Sequence, residues 1–155
     1  MQKIVSFKDF REIIPPIFSK KTVLVGGCFD LLHYGHLTFL KKAKKEGDFL
    51  IVALESDEFI KDHKDRVSIH SQDQRAEILA SLVFVDLVIK LPIFRSDIEY
   101  SSFVKKIKPS IIAITKGDKQ LDNKKKQAQE VGAKVVTVSD LIRDFSTKEI
   151  IKKIL

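Results

Sequence analysis

Val25-Gly26-Gly27-Cys28-Phe29-Asp30-Leu31-Leu32-His33-Tyr34-Gly35-His36 stands between an apolar run and a helical pattern, and its reading decides the fold. Thr22 to Val25 reads as a short buried strand, β-branched or aliphatic throughout, and the glycine pair ends it. From His36 onward, Leu37, Leu40 and Ala43 recur at helical spacing, so His36 belongs to the first turn of a helix. A strand, a glycine turn and a helix start in succession aim backbone N–H groups and the positive end of a helix dipole at one point. Such a point suits a phosphate group. His33 and His36, three residues apart, fall on one face there. A zinc site needs three or four ligands, and His63, His70 and Cys28 fit no ligand spacing with the pair, so no metal is expected on protein ligands.

The chain has 155 residues, one domain's worth, with 44% hydrophobic residues and a single cysteine. That length supports a core without disulfides or a structural metal. No apolar run approaches the ~20 residues of a membrane span, and the N-terminal stretch lacks a signal peptide's apolar centre. No membrane association and a cytoplasmic location are expected. Cys28, at a strand end with no histidine base placed to activate it, reads as a packing residue rather than a nucleophile. The net charge of +7 raises a nucleic-acid reading. Only five of the 28 basic residues are arginine, however, and the lysines fall in pairs such as Lys41-Lys42 and Lys152-Lys153. That pattern describes wet helix faces, with no basic segment interleaved with aromatics. It excludes a nucleic-acid partner and favours long-range attraction of anionic nucleotides.

Outward from the motif, residues 1–21 form a lead-in: Ser6 and Asp9 cap a short helix with Phe7, Phe10, Ile13 and Ile14 on one face, stopped by Pro15-Pro16. The main domain spans residues 22–155. Phe49 to Leu54 makes a second buried strand, and Glu55 to Arg66 follows as a polar, solvated loop. Ser71 with Gln74 is a capping box for a helix through Leu82, in whose first turn Arg75 opposes the dipole unless an anion or acid holds it. Val85 to Ile89 continues as the third strand. Ser96 with Glu99 opens a further helix closed before Pro109, and Ile111 to Thr115 is a fourth strand. Lys116-Gly117-Asp118-Lys119 then falls on the rim where doubly wound sheets bind ligands. A lysine-rich helix from Asp122 to Val131 leads through Gly132 to a fifth strand, Lys134 to Val138, and Ser146 with Glu149 caps a last helix. Strands alternating with helices predict a single α/β, Rossmann-like domain with a five-stranded parallel sheet flanked by helices.

Gly27, Phe29, Asp30, His33, Gly35 and His36 meet in full the pattern Gly-x-Phe-Asp-x-x-His-x-Gly-His, which resembles the signature of the cytidylyltransferase-like nucleotidyltransferases. The similarity extends through Gln74 to Ile89 and to the Ser146-Thr147 helix start, covering Val23 to Leu155. It implies a reaction in which a nucleoside monophosphate moves from a triphosphate to a phosphorylated acceptor. On this resemblance His33, His36 and Lys64 are catalytic, stabilising charge on the α-phosphoryl group. Gly27, Cys28, Phe29, Gly35, His36, Asp118, Ser146 and Thr147 bind the nucleotide, and Asp30, Lys64 and Arg75 bind the acceptor. Mg²⁺ accompanies the nucleotide. Two departures stand out: Lys148 replaces a threonine common in relatives, and Leu141 stands where some members carry an arginine, with Arg143 nearby.

The ending Ser-Thr-x-x-Ile-Ile-Lys-Lys-Ile is similar to that of heptose-1-phosphate adenylyltransferases, and Asp57-Glu58-Phe59 to a segment of glycerol-3-phosphate cytidylyltransferases. The expected partners are ATP or CTP and a phosphorylated sugar or polyol, in a homodimer, with heptose 1-phosphate favoured. A non-catalytic nucleotide-binding module is the alternative from a different class, motivated by Lys148 and Leu141.

Overall fold

The computed structural model describes residues 2–10, 19–140 and 146–155. Within them the order is β1 (Ile4–Ser6), β2 (Thr22–Gly27), α1 (Tyr34–Lys44), β3 (Phe49–Leu54), α2 (Asp57–Lys64) and α3 (Gln72–Ala80). There follow β4 (Leu87–Lys90), α4 (Asp97–Ile107), β5 (Ile111–Thr115), α5 (Leu121–Val131), β6 (Lys134–Ser139) and α6 (Thr147–Ile154). All strand pairs are parallel, in the order β1-β4-β3-β2-β5-β6. β2 lies between β3 and β5, so the chain leaves it toward one side of the sheet and later returns on the other. Ligand crevices of open α/β sheets form at that reversal, beyond the carboxyl ends of the strands.

The interior strands are continuous apolar runs because both faces of the sheet are covered. Val23, Val25, Leu50, Val52 and Leu54 pack on one face with Phe39 and Leu40 of α1 and Ala76 and Leu79 of α3. Leu24, Ile51, Ala53, Ile112 and Ile114 pack on the other with Phe103, Val104 and Ile107 of α4 and Ala128 of α5. Side chains alternate along a strand, so consecutive residues belong to different cores.

Helix starts follow the capping chemistry of the sequence. Ser71 with Gln74 and Ser96 with Glu99 form reciprocal capping boxes. Ser146 forms half of one: its Oγ accepts from Glu149 N–H, while the Glu149 carboxylate meets Lys152 at 3.3 Å. Gly132 ends α5 at φ 73°, the left-handed conformation in which a residue lacking Cβ is least strained.

Two expectations are corrected. The sheet has six strands rather than five, because Ile4–Ser6, ahead of the expected lead-in helix, pairs with Val88–Lys90 at the edge. Ser6 and Asp9 do bond, Oγ to Oδ2 at 2.5 Å, but across a turn. Phe7 beyond it packs edge-on to Phe94 at 5.3 Å and beside Phe10 and Phe103, so aromatic packing holds Ile4–Ser6 at the sheet edge. Ile13, Ile14 and Pro15-Pro16 lie outside the described residues. The second correction concerns Glu55 to Arg66, which holds helix α2 rather than a loop. Ser56 Oγ caps Phe59 N–H, Asp57 and Glu58 occupy the first turn, Lys61 and Lys64 the last, and Ile60 is fully buried. These are ordinary helix signals in a stretch with a single buried position.

Gly47 closes the turn from α1 into β3 against the start of β2. A Cβ there would collide with the Lys21 carbonyl oxygen and come within 2.8 Å of Val23. The obstacle is backbone, so it cannot swing aside. Gly47→Ala is expected to cost about 1–3 kcal/mol, read as a lower denaturant midpoint with an unchanged slope.

Candidate active site

The motif turns from β2 into α1 at the sheet's carboxyl edge. Gly27 is required by a close approach: a Cβ would sit 2.9 Å from the Phe29 ring, which folds back over it. Phe29 and Leu31 both hold positive φ, 47° and 52°, so the two residues flanking Asp30 are in a left-handed conformation costly for side chains of that size. What holds them is Asp30 itself. Its buried carboxylate accepts from Arg66 Nη1 at 2.7 Å, Ile69 N–H at 2.8 Å and His70 N–H at 3.0 Å. Burial alone would weaken this acid, but these donors hold its pKa below the ordinary carboxylate value. Asp30 therefore ties the segment after α2 to the motif.

His33 is the N-cap of α1. Its Nδ1 accepts from Gly35 N–H at 3.1 Å and His36 N–H at 3.4 Å, while His36 Nδ1 accepts from His33 N–H at 3.4 Å. The rings stack at 3.7 Å, and Phe29 meets His36 edge-on at 5.2 Å. With both Nδ1 atoms accepting, each neutral ring carries its proton on Nε2. Burial, helped by the neighbouring His33, pushes the His36 pKa down to about 3, and burial also lowers that of His33. The pair thus offers two neutral N–H donors. Backbone N–H groups of Gly35 and His36, which the sequence would aim at an anion, are instead consumed by the cap.

Helix α6 starts against the same turn. Thr147 Oγ1 donates to the Asp30 carbonyl at 2.7 Å across 117 positions of sequence. The Ser146-Thr147 helix start and the histidine motif therefore meet at one edge of the sheet. The Thr147 hydroxyl proton is spent on that contact and the Ser146 oxygen on the cap. The donors left to a ligand are the Ser146 hydroxyl proton and first-turn N–H groups, at the positive end of the dipole. Leu141 and Arg143 lie outside the described residues.

Lys64 is exposed in the last turn of α2 and forms no ion pair among the described residues. It is the strongest of the positive charges acting on the Cys28 thiol, which burial nevertheless pushes up to about 11. Cys28 is thus an inert thiol in the wall of the turn.

Two acceptor-binding expectations are corrected. Arg75 is fully enclosed, its guanidinium shared among the carbonyls of His70, Cys28 and Glu55 and the Asp57 carboxylate at 2.6 Å. An acid does hold it in the first turn of α3, and no face is left for a ligand. The Asp30 side chain has no exposed surface, and both its oxygens are taken. Both residues position the site rather than line it. Asp118 lies on the expected rim, but its carboxylate accepts from Gln120 N–H at 2.7 Å and pairs with Lys124 at 2.7 Å, where it is only 15% exposed. Its geometry is that of a turn closing onto α5. Glu55, buried, and Tyr100, half-buried, were given no role by the sequence reading; Tyr100 O–H donates to Glu55 Oε1 at 2.7 Å. The available signal was an acid directly after six apolar strand residues.

Residues 24–153 match the family model described as cytidylyltransferase-like. The chain is 38% identical to the bifunctional protein HldE of Campylobacter concisus over 98% of its own length and 31% of that protein. The corresponding values for HldE of Campylobacter jejuni subsp. jejuni serotype O:2 are 42%, 99% and 32%. It spans about a third of the length of these relatives. The FAD synthase of Pyrococcus abyssi is 39% identical over 75% of this chain and 77% of that protein. Among solved structures, a lipopolysaccharide core biosynthesis protein of Thermoplasma volcanium superposes with a TM-score of 0.63 at 26% identity, covering 79% of this chain and 96% of that one. No helix among the described residues is long and apolar enough to cross a membrane. From the strand before the histidine pair to the helix that docks on it, the match runs through every element of this edge, and the chain belongs to the cytidylyltransferase-like nucleotidyltransferases.

Proposed function

We propose that the chain is a heptose-1-phosphate adenylyltransferase domain that joins ATP and heptose 1-phosphate with release of pyrophosphate. The observation that carries this reading is the Thr147–Asp30 contact, which sets the α6 start beside the stacked histidines. The HldE relatives and the Ser-Thr-x-x-Ile-Ile-Lys-Lys-Ile ending support the choice of acceptor. The likeness to an FAD synthase makes FMN a second acceptor to compare.

In the reaction an acceptor phosphate oxygen attacks the α-phosphorus in line. The new P–O bond forms as the α–β anhydride bond breaks, and its electron pair leaves with pyrophosphate. The Nε2–H groups of His33 and His36 donate to the non-bridging α-oxygens, where charge builds in the transition state. Lys64 supplies the cation that draws the acceptor phosphate in. Ser146 and the backbone of Thr147 hold the leaving phosphates, and Gly27, Phe29 and Gly35 shape the turn that receives them. Among the described residues no group of three His, Cys, Asp or Glu could hold a metal. Mg²⁺ would accompany the triphosphate, where it would neutralise phosphate charge. A cytoplasmic location, where nucleoside triphosphates are at hand, belongs to this reading. The homodimer expected from the sequence belongs to this reading, as do small anionic partners rather than nucleic acid.

Replacing His36 with alanine is expected to lower kcat/KM about 10²–10³-fold, the scale of one lost transition-state donor. His33→Ala should cost the same and also weaken the fold by about 1 kcal/mol through the lost cap. Pyrophosphate release and thermal melting separate the two effects. The decisive substrate test crosses ATP and CTP with heptose 1-phosphate, glycerol 3-phosphate and FMN. Turnover with ATP and heptose 1-phosphate is expected to exceed every other pair.

The depressed His36 pKa fixes a pH dependence. An unfolded imidazole protonates below its ordinary 6.5, whereas the folded ring does not until about 3. Stability from this residue is therefore intact above 6.5 and declines as pH falls toward 3. In the free protein the His36 ring resonances should stay flat from pH 8 to 5, in the Nε2–H tautomer, when followed by NMR.

A further inference from the structure

The carboxyl edge of the sheet has a second chemical group that the reaction above does not use. Glu55 follows β3 directly, and strand alternation sends it to the face of Ile51 and Ala53, under α4. Its side chain is 7% exposed. Oε1 accepts from Tyr100 O–H, and Oε2 is buried with no hydrogen-bond partner among the described residues. The backbone at this point is fixed: Glu55 N–H donates to the Gly27 carbonyl at 3.0 Å, and Arg75 Nη1 donates to the Glu55 carbonyl at 2.9 Å. Tyr100 is fixed in turn by its ring, edge-on to Phe94 at 4.9 Å. A lone buried carboxyl oxygen held this firmly costs stability unless something meets it.

The adjacent sheet is open on the same face. Gly26 pairs with Ala53 in register and is exposed although β2 is an interior strand. A Cβ at Gly26 would meet nothing closer than the Ala53 carbonyl oxygen at 3.9 Å. The next residue, Gly27, faces the opposite core and is covered by Phe29. Open space therefore lies over Gly26, on the face to which alternation directs Glu55. Lys124, His63 and Arg75 all act on the Glu55 carboxyl from around it, and burial weakens the acid.

Resting on the function proposed above, we infer that Glu55, held by Tyr100, reads the acceptor: its Oε2 bonds a hydroxyl of the sugar phosphate lying over Gly26. A hydroxyl is the suitable partner because it can donate to the ionised carboxyl or accept from the protonated one. An anionic phosphate could approach only the second form. The acceptor phosphate therefore goes to Lys64 and the histidines, and its neutral polyol end goes to Glu55. Glu55 is a specificity-determining residue in this scheme and takes no part in the chemical step.

The test uses the whole chain and steady-state pyrophosphate release with heptose 1-phosphate and a set of its monodeoxy analogues. The double variant Glu55→Met, Tyr100→Phe keeps the volume and removes both polar ends. It is expected to melt at or above the wild-type temperature, because a buried unmatched polar group is gone. Its KM for heptose 1-phosphate should rise about 10- to 100-fold while that for ATP stays within about twofold. Wild type should reject one monodeoxy analogue by a similar factor, and the double variant should accept that analogue as well as the parent. A wild-type-like acceptor KM with the same ranking of analogues would overturn the inference. If the double variant does not fold, Glu55→Ala, which admits a water to Tyr100, is judged by the same two readouts. Wild type that ignores heptose 1-phosphate but turns over glycerol 3-phosphate or FMN sinks the proposed substrate alone. The same KM comparison on the accepted compound then decides the role of Glu55.

Discussion

A helix must find partners for its first N–H groups, and here two histidines supply them for each other. Each ring gives its Nδ1 to a backbone N–H, so neither can accept there again and each keeps its proton on Nε2. Capping and tautomer are one constraint. The helix start, which by dipole alone would offer backbone donors to an anion, passes that capacity to two imidazoles. Their stacking at 3.7 Å explains why neither ring charges readily in the free protein: burial opposes it, and so would a second cation at that distance. In the proposed reaction neutral donors suit a transition state in which charge on the α-oxygens grows as the new bond forms, because they do not overbind the ground state.

Asp30 holds this arrangement in place from beneath. Its carboxylate gathers Arg66, Ile69 and His70 N–H, and its carbonyl receives Thr147. Left-handed φ values on both neighbours show that the turn is over-determined by these contacts rather than by local preference. One residue thus joins the segment after α2, the motif and the last helix. Three stretches far apart in sequence meet at a single residue whose side chain no ligand can reach, which is why an acid read as a binding residue proves to be a fastening. Arg75 repeats the pattern with the charges reversed, joining α3 to the motif loop and to the end of β3.

Much of this was legible in the chain. The Phe49–Leu54 and Ile111–Thr115 strands stand at the residues read, since an apolar run between polar stretches has one reading when both sheet faces are covered. Ser71 and Ser96 opened helices because their capping boxes are local chemistry that needs no tertiary help. β1 was not legible: three residues make a strand only when an edge is there to receive them, and the Phe7, Phe94 and Phe103 contacts that bring them to it are long-range. The histidine pair and Ser146-Thr147 were recognisable from their pattern. The internal pairing of Asp30, Arg75 and Asp118 was not, because a charged residue beside a motif reads as a ligand until its internal partners are known.

The paired glycines at the end of β2 show how a single strand can serve two tasks. Side chains alternate, so Gly26 and Gly27 open on opposite faces of the same sheet edge. On one face the space of the missing Cβ is taken by Phe29, which carries His36 against its edge. On the other it is left empty, beside a carboxyl with an unmatched oxygen. In the proposed reaction the triphosphate and the acceptor must approach from different directions to meet in line. An edge with one filled and one vacant glycine face, and with neutral N–H donors above a buried acid, separates those approaches by chemistry as well as by geometry. The anionic ends are drawn toward His33, His36 and Lys64, and what remains beside Glu55 favours an uncharged hydroxyl.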